Sequence, residues 1–259
     1  MFWPIGVMLL VFALQRLALQ QQEAVRFLLL RTIEQEHLVV SPQMEEFMIQ
    51  QQHLSPTYYV TEKGDGYELS VPAFDFPTIA NRLVRQWQQH QIRLDLQAQI
   101  ERHEFDLKAW LTGDKARIEF RESLLIESLG SISAQGIQFL THQLTLTPIV
   151  SWLPSTKLMV AFGQASQDPG IYRLLWLMKA DQHSESELLR LSRQHDSFSI
   201  EQLIAAAHNP RLKPQAIHLL TQLRPMPENV KQYFVTQMTL SDEAETVAQA
   251  LMKRVMGIG

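Results

Sequence analysis

Cysteine is absent from all 259 residues, which excludes disulfides, thiolate metal ligands and cysteine nucleophiles together. Charge is also sparse. Charged residues make up 19% of the chain and the formal net charge is −4, so no basic surplus exists to displace counterions from nucleic acid. Short chemical signatures are missing too: there is no G-x-x-x-x-G-K-[ST], no G-x-G-x-x-G, no G-x-S-x-G and no H-E-x-x-H. These absences remove the motif-defined nucleotide sites, the serine-hydrolase elbow and the zincin metal site. What remains is 46% hydrophobic residues, enough for one large core or two modest ones.

One long apolar run is present. Phe2 to Leu14 carries no charged side chain, but that many helical residues rise only about 20 Å. A hydrocarbon core of about 30 Å asks for roughly 20 residues, so a membrane span must borrow Gln15 to Leu19 and let Arg16 snorkel. On this reading residues 1–19 anchor a single-pass protein in a bacterial inner membrane. Arg16, Arg26 and Arg31 follow the run and favour a cytoplasmic body. The alternative is a greasy first helix buried in a core.

Residues 20–55 read as a helical connector, free of Gly, with Ser41-Pro42 starting a second helix as N-cap and first-turn proline. From Thr57, "TYYVTEKGDGYELSV" has β-rich flanks around Lys63-Gly64-Asp65-Gly66, a hairpin signal. "FPTIANRLVRQWQQHQ" then reads as an amphipathic helix with Ile79, Leu83, Val84 and Trp87 on one stripe. Its arginines Arg82 and Arg85, with Arg93 beyond, read as solvated rather than as nucleic-acid contacts. Between Ile92 and Arg121, apolar residues alternate with polar ones, the period of a half-buried strand. A three-strand antiparallel meander is expected there, with Lys108 opposite Glu119 and Asp106 opposite Arg121. "KLMVAF" reads as a returning strand, and "GQASQDPG" at 163–170 as a linker.

The last third repeats itself at a spacing of 29–30 residues. Ile171, Ile200 and Val230 open three apolar runs, with Leu175, Ile204 and Phe234 four residues on. Leu188, Ile217 and Val247 open a second run in each unit, followed by Leu191, Leu220 and Ala250. Asn209-Pro210, Pro225-Met226-Pro227 and "TLSDEAE", with Ser241 as N-cap, fall where helices should turn. Helical hairpins at a fixed period cannot bury their apolar faces singly, whereas stacked ones share a core. Over about residues 171–256, within a helical-repeat domain of 171–259, the chain thus resembles HEAT or armadillo-like helical repeats. The resemblance implies an all-α domain that presents an extended binding surface.

The expected fold class is therefore α+β: an N-terminal hydrophobic helix, a small antiparallel sheet with packed helices over 56–162, and a helical-hairpin repeat domain. For function, the organisation suggests a membrane-anchored, non-catalytic scaffold or adaptor. It would bind a partner protein through the repeat domain, with Arg190, Arg193, Gln222 and Lys231 as candidate contacts. The alternatives are a soluble adaptor, or a hydrolase-like enzyme with a site between the α+β and helical domains. His103, Asp95 and Glu127 are the candidate catalytic groups for that enzyme, general acid–base chemistry needing such side chains gathered in one pocket. His208 and His218 match no short metal-ligand spacing; neither cofactor nor metal is implied.

Overall fold

Gln, Glu, Ala, Leu and Arg dominate residues 19–35, and they form helix α1, Leu19–Gln35, as their propensities require. The computed structural model describes residues 12–36, 41–146, 152–239 and 252. It divides into two units, residues 1–95 and 96–259.

In the first unit, α1 is followed by α2, Pro42–Gln52, whose N-cap Ser41 accepts a hydrogen bond from Met44 N at 3.3 Å. Strands β1, Tyr59–Gly64, and β2, Tyr67–Pro72, pair antiparallel with Thr61 opposite Ser70. Helix α3 then runs Phe76–Glu101. Leu14, Leu30, Ile33, Phe47, Met48, Phe76, Ala80 and Val84 form the core of this unit. Its rim is cross-linked by polar groups. Arg82 Nε donates to Glu34 Oε1 at 2.5 Å, and Arg26 donates to Gln51. The buried Glu23 carboxylate accepts from Thr57 N at 2.6 Å, Thr57 Oγ1 at 2.5 Å and Tyr58 N at 3.3 Å, tying the start of the hairpin to α1. The hairpin itself stands in solvent: Val60, Tyr67 and Leu69, on one face, are all exposed.

The membrane span over residues 1–19 is corrected by this unit. Among the described residues no helix is long and apolar enough to cross a membrane. Residues 1–11 lie outside the described residues. Residues 12–14 are helical, but the backbone then turns, with Arg16 N bonding Ala13 O at 3.2 Å and Leu17 N bonding Leu14 O at 3.0 Å. A separate helix starts at Leu19. The span needed residues 15–19 as continuous helix, and they are not. Arg16 lies over the Phe12 ring at 4.7 Å, and Leu14 is packed in the protein core at 2% exposure. The single-pass, inner-membrane placement therefore does not stand, nor does the N-terminal hydrophobic helix.

The second unit is helical throughout its described residues. It comprises α4, Leu107–Trp110; α5, Lys115–Ser128; a 3-10 turn, Leu129–Ser131; α6, Ala134–Thr145; α7, Thr156–Ser166; α8, Pro169–Leu177; α9, Gln182–Ser192; α10, Ser197–Ala206; α11, Lys213–Gln222; and α12, Glu228–Met238. Short polar residues start them. The side chains of Asp114, Ser133, Ser155, Asp168, Asp181 and Asp196 each accept from an amide of the first turn, satisfying donors that the helix leaves unpaired.

The three-strand meander is the largest departure from expectation. Residues 92–101 complete α3, and 115–128 form α5. The alternation of Ile92, Leu94, Leu96, Ala98 and Ile100 contains an i, i+4 series, and the helix uses that series: Leu96 and Ile100 are buried while Leu94 is 48% exposed. No Gly or Pro interrupts Thr78 to Thr112, so the helix has no reason to stop where a strand was expected. The cross-strand ion pairs vanish with the strands. Asp106 caps α4, Glu119 pairs with Lys115, and Arg121 donates to Trp110 O at 2.6 Å while lying over the Trp110 ring. "KLMVAF" is likewise helix, in α7, and 163–166 are its last turn rather than a linker. The fold is α+β in a reduced sense, predominantly helical with one two-stranded antiparallel sheet among the described residues.

From α5 to α12 the helices follow one packing rule. Each packs against the next but one: α5 on α7, α6 on α8, α7 on α9, α8 on α10, α9 on α11 and α10 on α12. Consecutive pairs such as α7–α8, α9–α10 and α10–α11 pack as well. One continuous core results, and it buries Ile171, Leu175, Leu188, Leu191, Ile200, Ile217, Leu220, Val230 and Phe234. Ile204 is partly buried against it. Val247, Ala250 and Ser241 lie outside the described residues. Asn209, expected only as a breaker, also ties the α10–α11 loop to the end of α8: its Nδ2 donates to Trp176 O at 2.8 Å and Met178 O at 3.1 Å.

Candidate functional site

Glu187 on α9 is 1% exposed, and its side chain is completely covered. An ionised group in such a place must be paired and hydrogen-bonded, and it is. Arg190, one turn on, donates through Nε to Oε2 at 2.8 Å and through Nη2 to Oε1 at 2.6 Å. The Tyr172 hydroxyl of α8 donates to Oε1 at 2.6 Å, and Gln164 Nε2 of α7 to Oε2 at 2.6 Å. Tyr172 in turn accepts from Arg190 Nη2 at 3.0 Å. One carboxylate therefore fastens three helices.

The electrostatics follow from that geometry. Burial, reinforced by the hydrogen bond to Glu187, pushes the Tyr172 hydroxyl well above the usual tyrosine range. The bonds from Arg190 to Glu187 hold its guanidinium above the ordinary arginine value. Neither group gives up its proton at neutral pH, so the cluster is a fixed ion pair rather than a proton relay. Tyr172 reaches this position because α7 carries glycine at 163: a Cβ there would meet the ring at 3.0 Å. Asp168 starts α8 by accepting from Gly170 N at 2.6 Å, and Asp181 starts α9 by accepting from His183 N and Ser184 N at 2.9 and 3.1 Å.

Over this cluster lies an open groove of about 310 Å³. Lys157, Val160, Ala161 and Gln164 of α7 form one wall. His183, Ser186, Glu187 and Arg190 of α9 form the other, with Ile126 of α5 at the margin. Lys157 is exposed and has no acidic partner among the described residues. A second groove, of about 440 Å³, is lined by Leu111, Ile118, Trp152 and Leu153. Its polar groups are spent locally. Glu122 accepts from Ser155 N and Oγ at 2.9 and 2.6 Å, and Lys115 pairs with Glu119 at 3.7 Å. Of these two grooves, the first alone is lined by a cation with no acidic partner among the described residues, Lys157.

The sequence candidates fall in different places. Arg190 is half-buried in the Glu187 cluster, so it is no freely solvated contact. Arg193, exposed, ends α9, and its carbonyl meets His195 Nδ1 at 3.0 Å. Gln222 ends α11 beside His218, 3.0 Å away, and Lys231 on α12 pairs with Glu228 at 2.9 Å. Of these four, Arg190 alone lines either of the two grooves described. His103 follows α3 in a left-handed conformation, φ 59°, and stacks on Phe139 at 4.7 Å. Asp95 on α3 and Glu127 on α5 are exposed, and none of these three lines either groove. Glu187, Tyr172, Gln164, Lys157 and His183 were missed by sequence reading. The Glu187–Arg190 spacing of one helical turn was the available signal.

Comparison with characterised proteins adds no family: no family model, curated protein or solved structure matches the chain.

Proposed function

We propose that the chain is a non-catalytic scaffold or adaptor, and that its helical unit is a short array of the HEAT or armadillo-like kind whose surface binds a partner protein. The observation that carries this reading is the next-but-one packing from α5 to α12. In such an order each helix spends its apolar stripe on its neighbours, and the outward positions are left to form an extended surface. The inference from architecture to binding is analogy, and two further features support it. Large apolar side chains stand outward on the array, among them Leu177 at 76% and Leu189 at 43% exposure. The buried carboxylate Glu187 is saturated by four internal donors and Glu122 is held by two from Ser155, which suits a rigid framework better than a general base.

Photo-cross-linking tests the reading. A photoreactive residue replaces Leu177 or Leu189 in the full chain, and Leu69 of the exposed hairpin serves as comparison. A discrete protein adduct at Leu177 or Leu189 is the expected result. Adducts confined to Leu69, or no adduct at any position, refute it.

A further inference from the structure

The groove between α7 and α9 carries an inference about what the array binds, one that rests on the scaffold reading above. Two cations, Lys157 and Arg190, stand against one carboxylate, Glu187, and that carboxylate is used up by the four hydrogen bonds it accepts. Arg190 spends Nε and Nη2 on Glu187 and Tyr172, leaving Nη1 without a partner among the described residues. Its guanidinium is held in one orientation by the fold, so an incoming anion meets a preorganised donor edge and little side-chain freedom is lost. Lys157 supplies a second positive charge and the His183 ring a further polar group, also without a partner among the described residues.

Between these polar groups the surface is aliphatic: Val160, Ala161 and Ile126 line the same groove. A bare inorganic anion gains nothing from that strip. The volume is at the low end for small-molecule pockets, about 300–1,000 Å³, and the groove is open rather than enclosed. Size and lining together fit side chains projecting from a docked protein segment.

We propose that this groove docks an acidic, aliphatic segment of a partner protein. One carboxylate of the segment pairs with Arg190 Nη1 and Lys157. A neighbouring leucine- or isoleucine-like side chain seats on Val160, Ala161 and Ile126. Charge complementarity fixes register and the aliphatic contact supplies the desolvated area.

A random peptide library displayed on phage and selected on the immobilised full chain tests this. Selected sequences should be enriched in Asp or Glu beside aliphatic residues. A synthetic peptide of the consensus, followed by fluorescence anisotropy, should bind about tenfold more weakly to Lys157→Glu than to the unsubstituted protein. Ser186→Trp, which fills the groove from an exposed position, should also weaken it, as should Asn or Gln in place of the peptide's acids. Circular dichroism confirms that both variants fold. Sequences without acidic enrichment, acidic peptides indifferent to both variants, or displacement only by inorganic phosphate would each overturn the groove assignment and leave the scaffold reading standing. An empty selection with a photo-cross-linked partner at Leu189 overturns this proposal alone; an empty selection with no cross-linked partner overturns both.

Discussion

Replacing Glu187 by alanine is the sharpest test of how the helical array is held. The substitution removes the acceptor of four donated bonds and leaves Arg190, Tyr172 and Gln164 facing a void. Breaking a buried ion pair from one side costs about 3–5 kcal/mol. Arg190 keeps about a third of its side chain in solvent, 35%, so water recovers part of its loss and the lower half of that range applies, about 3–4 kcal/mol. Tyr172 has no such relief, being wholly buried. Exchange measured by mass spectrometry on peptides from 169–192 isolates this region from the other unit, and its opening free energy should fall by that amount. Substituting the pair together, Glu187→Leu with Arg190→Met, should recover stability to within about 2 kcal/mol of the original, because apolar replacement removes the desolvation cost as well as the attraction. A Glu187→Ala loss below about 1 kcal/mol would refute the reasoning, since only a hydrated carboxylate is so cheap to delete.

Tyr172 adds a pH test: its folded value lies above its unfolded one, so its contribution is complete below about pH 10 and is lost as pH rises further. Ultraviolet titration should show one tyrosine ionising late, and Tyr172→Phe should remove that step. Glu23 works the other way. Burial pushes its carboxyl up, but the bonds from Thr57 and Tyr58 and the nearby Arg26 outweigh it and bring it below the ordinary value. Its contribution is therefore complete above about pH 4.3 and lost as pH falls through the lower folded value; the Thr57 amide resonance should titrate below the usual carboxylate range. Gln167 ends α7 at φ 50°, a conformation that costs a non-glycine residue about 1 kcal/mol, so Gln167→Gly should raise stability by about 0.5–1 kcal/mol in urea denaturation. Leu69→Thr, on the exposed hairpin, should change stability by no more than about 0.5 kcal/mol by the same assay.

Where chain-local chemistry decides, the sequence was readable. Ser41-Pro42 starts a helix, Lys63-Gly64-Asp65-Gly66 turns a hairpin, and Asn209-Pro210 separates α10 from α11. Of the positions from Ile171 to Phe234 picked out by the 29–30-residue spacing, all lie in the core except Ile204, which is partly buried against it. Ile92 to Ile100 misled because a period of two and a step of four coincide over so short a stretch. "GQASQDPG" misled because small residues mark close packing as well as linkers: Gly163 makes room for an aromatic ring, and Asp168 caps a helix. The Glu187 cluster was invisible for a different reason. Gln164, Tyr172 and Glu187 sit on three helices, and only the stacking of those helices brings the three side chains to one point.

That clamp has a mechanical consequence. Among the described residues, helices α5 to α12 lean mainly on close neighbours in sequence, and an array of that kind can peel helix by helix from one end. The bonds around Glu187 join α7, α8 and α9 at once, so peeling that advances from the α12 side must break all of them together to go further. They act as a ratchet stop, and under load the array should yield in two stages, with the pause falling at residue 187.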